Sequence, residues 1–199
     1  MSIKIINNFF DDDFYNNLIM NINSSNLTWN INNNVVNDIS NKNQNDFKNK
    51  YYNWQLVITL FNIIGAQEKN LDYNKLKEEI FNNLINNKSL INLNISQLLR
   101  IKINIKMNSC DKIFDYGFHI DHNIHNIDNE IQNNYKLKTL IIYLNTCNGY
   151  TLFKHNKQKI YSEDNKAVLF DSNLYHSGST TTNADKRIVL NINYIENIS

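Results

Sequence analysis

The sequence of 199 residues predicts a mostly β fold with flanking helices, an antiparallel sandwich or barrel supported from its N-terminal side. The first observation behind this is strict alternation in "RIKINIKM", which puts Ile101, Ile103, Ile105 and Met107 on one face and Lys102, Asn104 and Lys106 on the other. The second is four more short apolar runs, "LKTLIIYLN", "GYTLF", "AVLF" and "RIVLNINYI", separated by Gly, Asn, Ser and Asp. The third is that helical periodicity is confined to the N-terminal half, so the strand and helix alternation of a parallel α/β sheet is absent.

Taken in order, "IKII" near the N-terminus is a short strand. "DDDFYNNLIMNI" follows, with an acidic first turn and Phe14, Leu18 and Ile22 spaced i, i+4, i+8, the mark of a helix lying on a core. "LDYNKLKEEIFNNLINN" repeats the pattern with Leu76, Ile80 and Leu84. The chain is the size of one domain, with helix-rich support over about residues 1–98 and a strand-rich core over about residues 99–195. Asparagine is about a fifth of all residues and proline is absent, a bias we attribute to A/T-rich codons. The Asn-rich stretch from Ile31 to Asn53 holds few apolar anchors, and it and the polar loop over 122–136 are expected to form the substrate entrance.

Net charge of +1 provides no general field for capturing nucleic acid or an anionic membrane. No apolar run is long enough to span a bilayer, and the first residues lack the pattern of a signal peptide, so a cytoplasmic location is expected, a host's cytoplasm if the gene is viral. Cys110 and Cys147 stand alone, as free thiols do in a reducing compartment.

The chemistry is concentrated in "DYGFHIDHNIH", which holds three of the five histidines. If "GFHID" ends a strand, the period of two puts the imidazole of His119 and the carboxylate of Asp121 on one side. HxD alone is a weak signal. A third candidate ligand, His176, follows the apolar run in "VLFDSNLYHSGS", and Arg187 heads the last strong strand eleven positions later. Two imidazoles and one carboxylate form the facial triad that binds non-haem Fe(II), and an Arg in the same barrel would clamp a dicarboxylate bidentately. On strand parity Val189, Asn191 and Asn193 share the face of Arg187, while Ile188, Leu190, Ile192 and Tyr194 pack under the helices. Thr139 shares its face with Ile141, Tyr143 and Asn145.

In these residues the chain resembles the 2-oxoglutarate and Fe(II)-dependent dioxygenases, in their prolyl 4-hydroxylase-like branch, which includes small members carried by viruses and phages. Further matches are "TLIIYLN", similar to the family's threonine-led strand, and "NGYTLF", similar to its Gly-Gly-Glu-Thr-x-Phe turn. The resemblance implies a double-stranded β-helix, or jelly roll, with Fe(II) held by His119, Asp121 and His176. It implies 2-oxoglutarate as co-substrate, its far carboxylate held by Arg187 and Thr139; strand parity, not the resemblance, adds Tyr143 and Asn191 as further candidates for its site, and the polar face of "RIKINIKM" adds Asn104. The implied reaction consumes O2, releases succinate and CO2, and hydroxylates a C–H bond of a peptide side chain, a nucleobase or a small metabolite. Tyr150 and Lys106 depart from the family, which has a second glycine and, in some members, a tyrosine touching the co-substrate.

Other residues have plainer readings. His122 and His125 are expected at the surface or the substrate edge, and His155 in a surface turn. Lys186 has the wrong parity to replace Arg187. The face of Lys102, Asn104 and Lys106 either lines the cleft or is solvated. The alternative function is a cupin-like, non-catalytic metal-binding jelly roll; Arg187 separates the two, since a binding module needs no buried dicarboxylate clamp.

Overall fold

The computed structural model describes residues 2–24, 27–32, 54–63, 71–86, 93–121 and 135–197. Its strands are β1 (Lys4–Ile6), β2 (Asn30–Asn32), β3 (Gln55–Asn62), β4 (Ile95–Met107), β5 (Tyr135–Tyr143), β6 (Tyr150–Phe153), β7 (Lys159–Tyr161), β8 (Lys166–Asp171), β9 (His176–Gly178) and β10 (Lys186–Asn197). The helices are α1 (Asp12–Asn23) and α2 (Leu71–Asn86). A seven-stranded sheet in the order β1-β8-β5-β10-β4-β3-β2 faces a three-stranded sheet, β7-β6-β9. All their strand pairs are antiparallel. This is the jelly-roll arrangement with helices on one side.

Alternation along the central strands divides the core in two. Ile101, Ile103 and Ile105 of β4, with Ile188, Leu190, Ile192 and Tyr194 of β10, form one cluster with Tyr15, Leu18 and Ile22 of α1 and Leu76, Ile80 and Leu84 of α2. The opposite face of the sheet contributes Ile141, Tyr143, Val168, Phe170 and Val189 to a second cluster, closed by Phe153 and Ile160 of the small sheet. The parity expected for β10 therefore holds. Helix α1 starts where the Asp11 carboxylate accepts from the Phe14 amide at 2.8 Å, a standard N-cap. Its buried stripe is centred on Tyr15, Leu18 and Ile22, with Phe14 only half-buried at its edge.

The N-terminal half supplies more sheet than the sequence predicts, because β2 and β3 extend the large sheet beyond β4. "QLVITLFN" has a near-continuous apolar run at its centre, which period two cannot recognise. β4 also begins at Ile95, and a register shift lies at Leu99, where Asn193 pairs Arg100 but Tyr194 pairs Leu98. Met107, expected on the core face, is 39% exposed where β4 ends. Cys110 and Cys147 are both free, and His155 is exposed in a turn. His122 and His125 and nearly all of both predicted entrance segments lie outside the described residues. No helix among the described residues is long and apolar enough to cross a membrane.

One clasp ties the N-terminus to the core. Asn165 accepts from the Phe10 amide at 2.9 Å and donates to the Phe10 carbonyl at 2.8 Å, from a left-handed backbone at φ 53°. Asparagine tolerates that conformation better than most residues. Asn165→Ala is expected to lower the unfolding free energy by about 2–4 kcal/mol, since two buried backbone groups lose partners and Ala strains the backbone; chemical denaturation measures this, and a change under about 0.5 kcal/mol would contradict it.

Candidate metal centre and anion pocket

His119 and His176 face each other across a reciprocal backbone pair, each amide donating to the other's carbonyl at 2.9 Å. The segment from Asp115 to Asp121 runs beside β9 through isolated bridges, not as the regular strand end that the sequence suggests. Backbone bonds from Tyr116 to Gly178 and from Asp121 to Ser172 hold it there. The imidazoles lie with centroids 4.5 Å apart, and Asp121 converges on them. Candidate ligand atoms of His119, Asp121 and His176 all lie within 4.8 Å of one another, with His119 Nε2 3.8 Å from Asp121 Oδ1 and His176 Nε2 3.9 Å from Oδ2.

The protonation of this set suits a cation. His176 Nδ1 sits 3.0 Å from the Leu174 carbonyl and His119 Nδ1 3.3 Å from that of Gly117. A carbonyl can only accept, so each Nδ1 donates there, and Nε2 is the ring nitrogen turned toward Asp121. Burial, with His176 beside it, lowers the His119 pKa to about 4, so the ring is neutral at pH 7. Burial raises the pKa of Asp121, but His176, Arg100 and His119 together outweigh it and hold the carboxyl well below the usual carboxylate range. Two imidazoles and an ionised carboxylate are the donor set that Fe(II) takes in a facial triad, so the residues fit that ion.

A dense set of donors aims the carboxylate. Asp121 Oδ2 accepts from Thr139 at 3.1 Å, Asn191 at 3.1 Å and Asn193 at 3.2 Å, while Arg100 reaches Oδ1 at 3.3 Å. Asn193 also donates to Thr139 and accepts from Arg100 Nε, both at 2.9 Å. Thr139 is therefore not brought to Arg187. It pairs with Asn193 on β10, six residues along the strand from Arg187, roughly 20 Å at about 3.3 Å per residue.

The hydroxyl beside Arg187 is Thr151 on β6, which accepts from an Arg187 terminal nitrogen at 3.1 Å and lies 2.9 Å from the Tyr143 hydroxyl. Tyr143 places its ring 5.3 Å from the guanidinium carbon. Thr151 Oγ1 lines the pocket beside the guanidinium, and the Tyr143 hydroxyl that touches it also reaches the Ile160 carbonyl at 3.2 Å. Gly149 permits this arrangement. A Cβ there would meet Arg187 Cδ at 2.6 Å and the Thr180 carbonyl at 2.8 Å. Tyr150, the departure from the family turn, lies on the opposite face of β6 from Thr151, its ring packed on Tyr161.

One pocket joins the two ends. It is lined by His119, Asp121 and His176 at one end and Lys106, Tyr116, Thr151, Gly178 and Arg187 at the other, with Lys102, Asn104 and Asn191 between. The polar face of β4 thus lines the cleft. Arg187 is 3% exposed and no carboxylate pairs with it among the described residues. Asn104 Oδ1, Lys106 Nζ, Arg187 Nε and Asn191 Oδ1 are buried with no hydrogen-bond partner among the described residues, and all four belong to this pocket. Buried polar atoms are otherwise almost always paired. Lys186, by contrast, directs its amine to Asn23 at the surface.

Sequence reasoning missed the parts of this site that pair through the sheet. Arg100 stands on the polar side of β4 by the same alternation that marked Lys102, but nothing local links it to Asp121. Gln55, buried in the pocket wall, lay in a strand that was not recognised.

No protein-family model matches the chain, and no curated protein matches its sequence. Solved structures do. A prolyl hydroxylase from Trichoplax adhaerens, in complex with a hypoxia inducible factor oxygen degradation domain peptide, is 19% identical, with a TM-score of 0.55 over 98% of this chain and 83% of that one. An oxidoreductase of the 2OG-Fe(II) oxygenase family from Burkholderia pseudomallei is 9% identical, with a TM-score of 0.57 over 98% and 84%. A viral collagen prolyl hydroxylase from Paramecium Bursaria Chlorella virus-1, in a 2OG complex, is 14% identical, with a TM-score of 0.51 over 98% and 97%. The chain shares the fold of these proteins.

Proposed function

We propose that this single-domain protein is a 2-oxoglutarate- and Fe(II)-dependent oxygenase that hydroxylates a C–H bond and releases succinate and CO2. The observation that carries the reading is one pocket holding a two-His, one-carboxylate ligand set at one end and, at the other, a buried Arg187 that no carboxylate among the described residues answers. A binding module for a metal alone has no use for the second feature. The shared fold supports the same reading.

His119, Asp121 and His176 would hold Fe(II), which when bound supplies the oxidising chemistry with O2. The residues of the chain do the rest. Arg100, Thr139, Asn191 and Asn193 orient the Asp121 carboxylate and keep it ionised. Arg187 and the Thr151 hydroxyl receive the far carboxylate of 2-oxoglutarate, and Tyr143, buried against both, fixes their direction. Ile141 and Val189 give the pocket an apolar wall that limits water near the charged groups.

For the substrate we favour a peptide side chain, because two of the proteins that share the fold are a prolyl hydroxylase in complex with a peptide and a collagen prolyl hydroxylase. The test is succinate formation from 2-oxoglutarate by anaerobically Fe(II)-loaded protein after oxygen is admitted, with candidate peptides, nucleotides and amino acids compared for stimulation. Fe(II)-dependent succinate release stimulated by a peptide is the expected result. Failure to bind 2-oxoglutarate at all would overturn the reading.

The turn glycine provides a narrower check. Gly149→Ala is expected to raise the 2-oxoglutarate dissociation constant about tenfold or more by pushing Arg187 out of line, while Mn(II) affinity stays near the wild-type value. Calorimetry with Mn(II) in place of iron reads both constants. Equal weakening of both would mean that the turn supports the whole site.

A further inference from the structure

Resting on the co-substrate reading above, we propose that Lys106 is a second cation for the far carboxylate of 2-oxoglutarate, sharing it with Arg187. The register of β10 on β4 puts Arg187 directly opposite Lys106, so both side chains leave the same face of neighbouring strands. Both are buried, at 3% and 5% exposure, and both line the pocket. Like charges placed opposite each other on a sheet repel, and burial strengthens the repulsion.

No carboxylate among the described residues answers either one. Lys106 Nζ has no hydrogen-bond partner, and its amine rests 3.3 Å above the centre of the Tyr116 ring. Burial, then Arg187 and Lys102, hold this amine well below the usual lysine range. An aromatic face can soften the desolvation of a cation but leaves its three N–H donors without acceptors.

A buried guanidinium and a buried amine whose charge the pocket disfavours, set opposite each other on neighbouring strands, are unfavourable alone; one carboxylate between them would favour the charged form of both. Arg187 would take the carboxylate through its planar fork, and Lys106 would approach as a point charge from the β4 side. The pairing also makes a selectivity device. A 2-oxo acid without a second carboxylate would leave both cations uncompensated, so the site should discriminate strongly against it.

The experiment is calorimetry on the full chain loaded with Mn(II), titrated with 2-oxoglutarate and with 2-oxopentanoate, which has the same chain length and no far carboxylate. Thermal melting confirms that each variant is folded. Lys106→Met, close in volume and without charge, should raise the 2-oxoglutarate dissociation constant about tenfold or more and leave 2-oxopentanoate bound no more weakly than in wild type. It should melt no lower than wild type without ligand, since an unpaired buried amine has been removed. If wild type binds 2-oxoglutarate and Lys106→Met binds it equally well, the proposal is overturned while the oxygenase reading stands. Loss of both ligands in equal measure would make Lys106 a structural support of the pocket, which also overturns it. If wild type binds no 2-oxoglutarate, the reading of the site falls and this proposal with it.

Discussion

Asp121→Ala is expected to abolish Fe(II) binding, read as Mn(II) binding in an anaerobic or redox-silent titration, and succinate formation with it. Asp121 is the one carboxylate among the three candidate ligands, so its loss leaves two imidazoles and no negative charge against a divalent cation. It also leaves Arg100, Thr139, Asn191 and Asn193 directed at a methyl group. Outer partners of a metal ligand are worth about 10–100-fold in affinity, and removal of the ligand itself should exceed that. Asn193→Ala, which removes one of the donors that aim the carboxylate, should fall inside that range. His119→Ala and His176→Ala should resemble Asp121→Ala, and His155→Ala, at the surface, should resemble wild type. Wild-type metal affinity in Asp121→Ala would mean that the ion sits elsewhere.

Arg187→Met should weaken 2-oxoglutarate by on the order of 100-fold, about 2.7 kcal/mol, with Mn(II) affinity nearly unchanged. The guanidinium is buried and its Nε has no partner, so its attraction for a carboxylate is little screened. Arg187→Lys should recover part of the affinity, because the charge survives and the fork does not. Lys186→Met should match wild type, since that amine reaches Asn23 instead. Calorimetry with Mn(II) provides both constants for each variant. The assignment fails if Arg187→Met binds 2-oxoglutarate as wild type does.

The candidate ligands and the candidate anchor were legible in the primary structure because each rests on a local rule. The HxD motif sets His119 and Asp121 two positions apart, close enough to converge even though the segment forms isolated bridges and not a regular strand. The apolar run after Arg187 marks the strand that carries it, and the run ahead of His176 marks β8, one turn before β9. The period of two sorted β10 into a core face and a pocket face without knowledge of any neighbour. These properties depend on bonds within one segment, and sequence alone determined them.

What the tertiary structure decided are the pairings between segments distant along the chain. The register of β10 on β5 and β4, with its shift at Leu99, put Thr139, Asn193 and Arg100 around Asp121, and placed Lys106 across from Arg187. The turn before β6 then set Thr151, not Thr139, beside Arg187. A slip of two residues in register would preserve every apolar face and hence every pattern visible in the sequence, yet would dismantle these contacts. The packing of the two sheets selects the register, and that selection is a property of the whole core.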